Sequence, residues 1–253
     1  MTPTNFIVDT AKLNTGFSIP MVGLGTYKIV GQDKITIAVD AALKAGYRLF
    51  DTAKYYVNEA ELGIALQYQT RVRYFCCGSD MHGTASKIQL EERRRFHHYK
   101  IFLAETNNAD HARKMTDESL KNLQTKYLDL VLIHYPKANG SENNDPRNPE
   151  NRKDAYLELE KLKNEHKVRS IGVSNYEIKH IKEIQDFGQM MPSAYSSLAR
   201  NHPDLMHDFT IVEAAKAHNS TPQLVVLAWA LNLGVGIIPK SANSERIINN
   251  FKA

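Results

Sequence analysis

A chain of 253 residues is long enough for one α/β barrel and too short for a barrel plus a second domain. With 42% hydrophobic and 24% charged residues it has the make-up of a water-soluble globular protein. The formal net charge of +4 is modest, and much of the basic excess lies between Arg71 and Lys100, a local patch that argues against a general nucleic-acid-binding surface.

The N-terminus is polar and lacks a basic region followed by an apolar core, so no targeting signal is expected. Lys12 to Pro20 reads as a small hairpin turning at Asn14-Thr15-Gly16. Strand and helix patterns then alternate: strand Met21–Thr26, helix Asp33–Ala45, strand Arg48–Ala53 and helix Asn58–Gln67. Residues 68–100 follow as an atypical inserted segment. Its adjacent Cys76 and Cys77 are badly placed for an unstrained disulfide, which suits a reducing, cytoplasmic setting. Cys76, Cys77, Asp80 and His82 match no tetrahedral zinc spacing, so no metal is expected, and Arg93-Arg94-Arg95 with His97 and His98 reads as solvated.

Beyond it come strand Ile101–Glu105, helix His111–Leu123 and strand Leu128–His134, a continuous apolar run suited to burial on both faces and stopped by Pro136. Asn139 to Asn151 is rich in Asn, Pro and charge and reads as an exposed loop. Helix Arg152–Glu165, strand Val168–Val173, helix Glu177–Phe187, strand Ala194–Leu198, helices Ile211–His218 and Thr221–Leu233, and strand Val235–Pro239 complete the order. The apolar stretch Leu224 to Ile238 is broken by Asn232, Gly234 and Gly236 and is too short to cross a bilayer. This alternation argues for parallel βαβ units in a single domain spanning 1–253.

Chemistry-bearing side chains gather where strands stop. Asp51 and Tyr56 follow one strand and Asn58-Glu59 opens the next helix; His134 closes another strand; Lys240, Ser241, Asn243 and Arg246 follow the last. Taken alone, Asp51 reads first as a local turn cap, and the two later segments reverse that reading. Two cations beside a helix start suit a phosphate group. A Gly-rich Rossmann fingerprint is absent from the sequence.

Gly23-Leu-Gly25-Thr26, Gly46 to Gly63, Leu128 to Pro136, Gly172-Val-Ser174-Asn175 and Ile238 to Asn250 together resemble the successive motifs of the aldo-keto reductases. The resemblance implies a (β/α)8 TIM barrel and NADPH-dependent reduction of small aldehydes and ketones in the cytosol, without nucleic-acid or membrane partners; it leaves the oligomeric state open. It implies that Asp51, Tyr56 and His134 are catalytic, as supporting acid, proton donor and carbonyl-orienting group, and that Tyr27 and His134 meet the substrate. Gly25, Thr26, Ser174, Asn175, Tyr195 and Ser196 would lie along the cofactor, with Ser174 and Asn175 on the carboxamide and Tyr195 stacked on the nicotinamide. Lys240, Ser241, Asn243, Arg246 and Asn250 would hold the adenosine 2′-phosphate end.

Three departures from the family pattern set further expectations. Asn175 to Tyr195 is roughly thirty residues shorter than the resemblance implies, so about seven strands and a missing sixth βα unit are expected of an eight-stranded ring. The resemblance also runs to Ala253, short of the family's C-terminal segment. Finally, the family's lysine, which pairs with the acid and makes the tyrosine a better donor, should fall at Glu105 or Thr106; Lys54 points elsewhere, and Lys100 reads as starting its strand at the opposite rim. The expectation is a reductase with turnover reduced by about 10²–10⁴-fold. The alternative is a non-catalytic or poorly folded isoform that keeps at most cofactor binding.

Overall fold

The computed structural model describes residues 9–76, 95–188 and 203–253. A short antiparallel hairpin, β1 (Thr10–Lys12) with β2 (Ser18–Pro20), opens the chain, and Gly16 supplies the positive φ of 86° its turn requires. Five parallel strands follow in chain order within one sheet: β3 (Gly23–Gly25), β4 (Leu49–Ala53), β5 (Phe96–Leu103), β6 (Leu128–Ala138) and β7 (Val168–Val173). Helices fill the crossovers: α1 (Gln32–Ala45), α2 (Glu59–Cys76), α3 (Asn108–Asn122) and α4 (Asn148–Asn164). After β7 come α5 (Ile178–Phe187), α6 (Pro203–Met206), α7 (Phe209–Ala217), α8 (Pro222–Asn232) and α9 (Ser244–Asn250). Between α8 and α9 the backbone makes parallel bridges from Ile237 to Val22 and from Lys240 to Gly25, so this segment lies on the free side of β3. The described residues thus form an arc that starts with the last βα segment and sweeps through β3 to β7.

The alternation of side chains sorts each strand into two layers. Phe50, Tyr99, Ile101, Val131, Ile133, Ile171 and Val173 join the large core shared with α1–α5. Leu49, Phe96, Leu130 and Leu132 face the other way and pack with Leu13 and Ile19 of the hairpin region and with Ile238. The hairpin therefore plugs the bottom of the arc, where the Thr15 and Ser170 hydroxyls meet at 2.7 Å. Above that apolar floor the inward positions turn polar.

The observed elements match most of the expected ones and depart from them at instructive places. β5 starts at Phe96, ahead of the expected Ile101, and ends at Leu103. Helix α2 runs on to Cys76, so both ends of the segment 68–100 belong to regular elements. Helix α4 begins at Asn148, inside the expected loop, because Pro149 suits a first helical turn and the Asn148 amide ties back to the Glu142 carbonyl at 2.9 Å. Where a full strand was expected over Val235–Pro239, isolated bridges form at Ile237 and at Lys240 just beyond it. The strand expected at Ala194–Leu198, and with it the missing sixth βα unit, lies outside the described residues.

Gly63 lies where α2 crosses the end of α3, and a Cβ there would come within 2.9 Å of the Leu123 Cα, which is backbone and has no easy way to yield. Gly63→Ala gains roughly 1 kcal/mol of helix propensity but overpacks a backbone contact at about 1–3 kcal/mol. The expected outcome is a net loss of stability in urea titration, with an unchanged or raised midpoint counting against the packing argument.

Candidate active site

Because all five strands are parallel, their C-terminal ends share one rim, and the loops leaving that rim carry the polar groups. β4 pairs with β5 so that Asp51 is level with His98 and Ala53 with Lys100. Asp51, His98 and Lys100 therefore project to the same inner face, just above the apolar floor. Lys100 Nζ donates to Asp51 Oδ1, and both side chains are sealed from solvent, at 0% and 2% exposure respectively. The ammonium lies 5.3 Å from the centroid of the Tyr56 ring. His134, near the middle of the longer β6, stands edge-on to that ring at 6.3 Å and 80°. Tyr56 and His134 thus converge at one mouth of the arc.

Tyr56 is delivered by a 3₁₀ turn, Lys54–Tyr56, that closes at Val57 in the left-handed region with φ 53°. The strain of a β-branched residue there is held by Asn58, which is fully buried and fully bonded. It accepts from the Thr52 hydroxyl at 3.1 Å and donates to the carbonyls of Thr26 and Ile29, each at 2.9 Å. Thr26 in turn donates its hydroxyl to the Asp51 carbonyl at 2.9 Å. Asn58 and Thr26 lock the β3 and β4 loops together under the acid and the phenol. Sequence reasoning placed Asn58 only as a helix start, because an amide's partners in other loops leave no local signature.

The expectation of a missing lysine is corrected by this geometry. Glu105 and Thr106 are both exposed and lie beyond the end of β5. Lys100 takes the place beside Asp51, because β5 begins at Phe96 and Lys100 is deep in the strand, level with the C-terminal end of β4. It does not start the strand at the opposite rim. The available signal was the aromatic-rich run Phe96-His-His-Tyr-Lys-Ile-Phe-Leu103, whose alternate members Phe96, His98, Lys100 and Phe102 share one face. Lys54 reaches away from the site to Glu118, at 2.6 Å.

Burial governs the electrostatics here. It pushes the Asp51 carboxyl up and the Lys100 ammonium down, and each partner's charge opposes the other's shift. Removing either partner leaves a buried charge without compensation, a loss of about 3–5 kcal/mol. Burial, and next the Lys100 charge, lower His134 to about 4, so its imidazole is neutral at physiological pH.

Along the rest of the rim, Ser174 is buried and its hydroxyl oxygen accepts from Asn175 Nδ2 at 3.0 Å. The same Nδ2 donates to the His134 carbonyl at 2.8 Å, which, among the described residues, leaves the Asn175 Oδ1 and the Ser174 hydroxyl proton for a ligand. Gly25 is a close approach: a Cβ there would sit 3.0 Å from the Ile238 carbonyl. Lys240 and Arg246 are exposed, with no ion pair among the described residues. Ser241 Oγ accepts from the Asn243 amide at 3.0 Å, and Asn243 Oδ1 caps α9 through the Arg246 amide at 3.0 Å, so these two side chains chiefly shape the loop that presents the cations. Asn250 ends α9, half-buried. Tyr195 and Ser196 lie outside the described residues.

An aromatic rim surrounds the opening. Tyr27 lies 5.0 Å from Tyr56 and stacks on Tyr55 at 6.2 Å, and Phe102 stacks on His134 at 5.3 Å and 22°. Tyr55, Phe102 and Tyr135 were not among the residues singled out from sequence. Phe102 is legible once Lys100 is placed, since it lies two residues further on the same face.

A parallel arc plugged by a hairpin, with an acid, a lysine, a tyrosine and a histidine at its C-terminal mouth, is the architecture of a barrel oxidoreductase. Residues 21–203 match the model of the Aldo/keto reductase family, and the chain belongs to that family, whose (β/α)8 barrel is its fold. It is 31% identical to the glyoxal reductase of Bacillus subtilis over 275 aligned positions, covering 98% of this chain and 87% of that protein. It is 28% identical to the NAD(P)H-dependent D-xylose reductase of Kluyveromyces lactis, over 98% of this chain and 88% of the relative. The aldose reductase structure from Schistosoma japonicum superposes with a TM-score of 0.77 at 30% identity, covering 96% of this chain and 86% of the other.

The neutral His134 makes stability pH-dependent. The unfolded chain takes up its proton near 6.5, whereas the folded chain refuses it until about 4, so acid favours unfolding across that window. By pH 5 this one group removes about 2 kcal/mol relative to pH 7. Asp51, whose carboxyl is raised, acts with the opposite sign and is common to both proteins in the comparison. Thermal melts of wild type and His134→Asn at pH 7 and pH 5 should show the smaller fall in Tm for the variant; equal falls would contradict the assignment.

Proposed function

We propose that this chain is an NADPH-dependent reductase of small aldehydes and ketones, in which Tyr56 gives the proton, Lys100 and Asp51 set its charge environment and His134 orients the carbonyl. The observation that carries the reading is the convergence of Lys100 on both Asp51 and the Tyr56 ring, beside a neutral His134. NADPH, when bound, supplies hydride to the carbonyl carbon. The protein's task is to neutralise the negative charge that this leaves on oxygen. Tyr56 donates its phenolic proton to that oxygen, and the Lys100 ammonium stabilises the phenolate that remains. Asp51 keeps the ammonium in place and charged. A neutral imidazole at His134 donates one N–H to the carbonyl oxygen without adding a full charge to the site.

The donor set fits the cofactor. The Ser174 hydroxyl and Asn175 Oδ1 complement the oxygen and amide protons of a carboxamide, and the exposed Lys240 and Arg246 complement a 2′-phosphate. Tyr195 is assigned to the nicotinamide face and Ser196 to the cofactor by resemblance alone, and Gly25, Thr26, Ser241, Asn243 and Asn250 line or shape the same cleft. Tyr27, Tyr55, Phe102 and Tyr135 favour a substrate with an apolar body behind its carbonyl. Among the described residues no helix is long and apolar enough to cross a membrane. The adjacent cysteines support a cytosolic site of action, within a single barrel domain. The expected loss of turnover rested on an absent lysine, and the non-catalytic alternative rested on that lysine together with the missing sixth βα unit and the short C-terminal end; Lys100 beside Asp51 answers the first of these grounds.

Lys100→Met is the direct test. It should lower kcat for NADPH-dependent carbonyl reduction by about 10²–10⁴-fold while leaving NADPH fluorescence quenching near wild type. Full retention of turnover would end the reading. For the cofactor, Lys240→Ala with Arg246→Ala should weaken NADPH binding by roughly 10–100-fold and leave NADH binding unchanged, since only the former carries the extra phosphate; equal weakening of both would refute the phosphate assignment.

A further inference from the structure

One buried ionisable group at the mouth is left unused by this mechanism. His98 lies inside the arc two residues before Lys100, and β4–β5 pairing sets it level with Asp51. Its Nδ1 lies 3.1 Å from Asp51 Oδ1, the same oxygen that receives Lys100. The angle of this approach falls short of a hydrogen bond, and among the described residues neither ring nitrogen has a hydrogen-bond partner, so Asp51 Oδ1 is the acceptor within reach of Nδ1. A carboxylate oxygen only accepts, so the contact is favourable only with the proton on Nδ1. The groups facing the ring are Asp51 from β4, Lys100 from its own strand and His134 from β6, while its register partner on β6 is the apolar Leu130. A second cation beside Lys100 in this desolvated space is disfavoured, and burial, and next the Lys100 charge, hold His98 well below its ordinary range.

We propose that His98 is a positioning residue of the reductase: as a neutral Nδ1–H donor it shares Asp51 Oδ1 with Lys100 and keeps the carboxylate ionised and aimed at the ammonium beside Tyr56. The proposal rests on the reductase reading above but concerns a residue outside the acid–lysine–tyrosine–histidine set. It explains how a carboxylate pushed up by burial stays available to Lys100: two donors, one charged and one neutral, converge on one oxygen. His98 never touches substrate and acts only through Asp51.

The variants His98→Leu and His98→Asn separate this role from packing. Leucine has no donor, whereas the asparagine Nδ2–H lies close to where the Nδ1–H was. In His98→Leu the acid limb of the kcat profile should move up by about one pH unit, so that kcat on that limb falls about ten-fold, with KM and the NADPH Kd unchanged. His98→Asn should restore the wild-type limb. Wild-type profiles in both variants, or equal losses in both with no movement of the limb, overturn the proposal. Histidine ¹⁵N spectra of the wild type provide a readout independent of turnover and of how the variants fold. They should show His98 still neutral, with its proton on Nδ1, at a pH where an ordinary imidazole is already charged, with its signals displaced in Asp51→Asn. An Nε2–H tautomer, or a charged ring at neutral pH, overturns it as well. If the wild type reduces no carbonyl at all, the reductase reading fails by itself, and the spectra still decide whether His98 serves Asp51.

Discussion

The site depends on one buried ion pair. Lys100 and Asp51 sit on adjacent parallel strands in a space without solvent, and neither charge is tolerable there without the other. That requirement is met by register alone: pairing Ala53 with Lys100 brings the ammonium level with the end of β4, one position above the acid on the inner face. Around this pair the remaining groups are arranged by what they can tolerate. The Tyr56 ring lies beside the cation, His134 stays neutral because the cation and burial both oppose its protonation, and Asn58 stitches the loop that carries the phenol.

The layering of the arc gives the pair its setting. Below it, Leu49, Phe96, Leu130 and Leu132 close on Leu13 and Ile19, so apolar side chains lie between the carboxylate and the hairpin. Above it, the aromatic rim formed by Tyr27, Tyr55, Phe102 and Tyr135 leaves an opening whose walls are apolar and whose base is charged. Electrostatic stabilisation of a developing oxyanion is strongest in such a space, because little solvent has to reorganise.

Much of this was legible in the residues. Asp51, Tyr56 and His134 stood out because ionisable groups at strand ends interrupt an otherwise apolar pattern, and the structure places all three at one mouth. The hairpin and the alternation of strands and helices also followed from turn chemistry and periodicity. β5 was the exception. Its N-terminal half follows a run of arginines and contains two histidines, and such a run reads as solvated surface in isolation. Only its partners reveal that His98 and Lys100 point inward: a neighbouring strand supplies the carboxylate, and a chain position far removed supplies the floor beneath. Asn58 and Phe102 were missed for the same reason, since their meaning lies in loops and strands distant in the chain.

The alternation along β5 has one more consequence. Tyr99 and Ile101 fill the layer beneath the helices, while His98 and Lys100 occupy the opposite face. Sliding the strand by a single position would thrust an ammonium among aliphatic side chains and strand Asp51 beside a tyrosine ring. The same charge that pairs with Asp51 therefore proofreads the assembly of the sheet, rejecting the misaligned neighbours that a wholly aliphatic strand would tolerate.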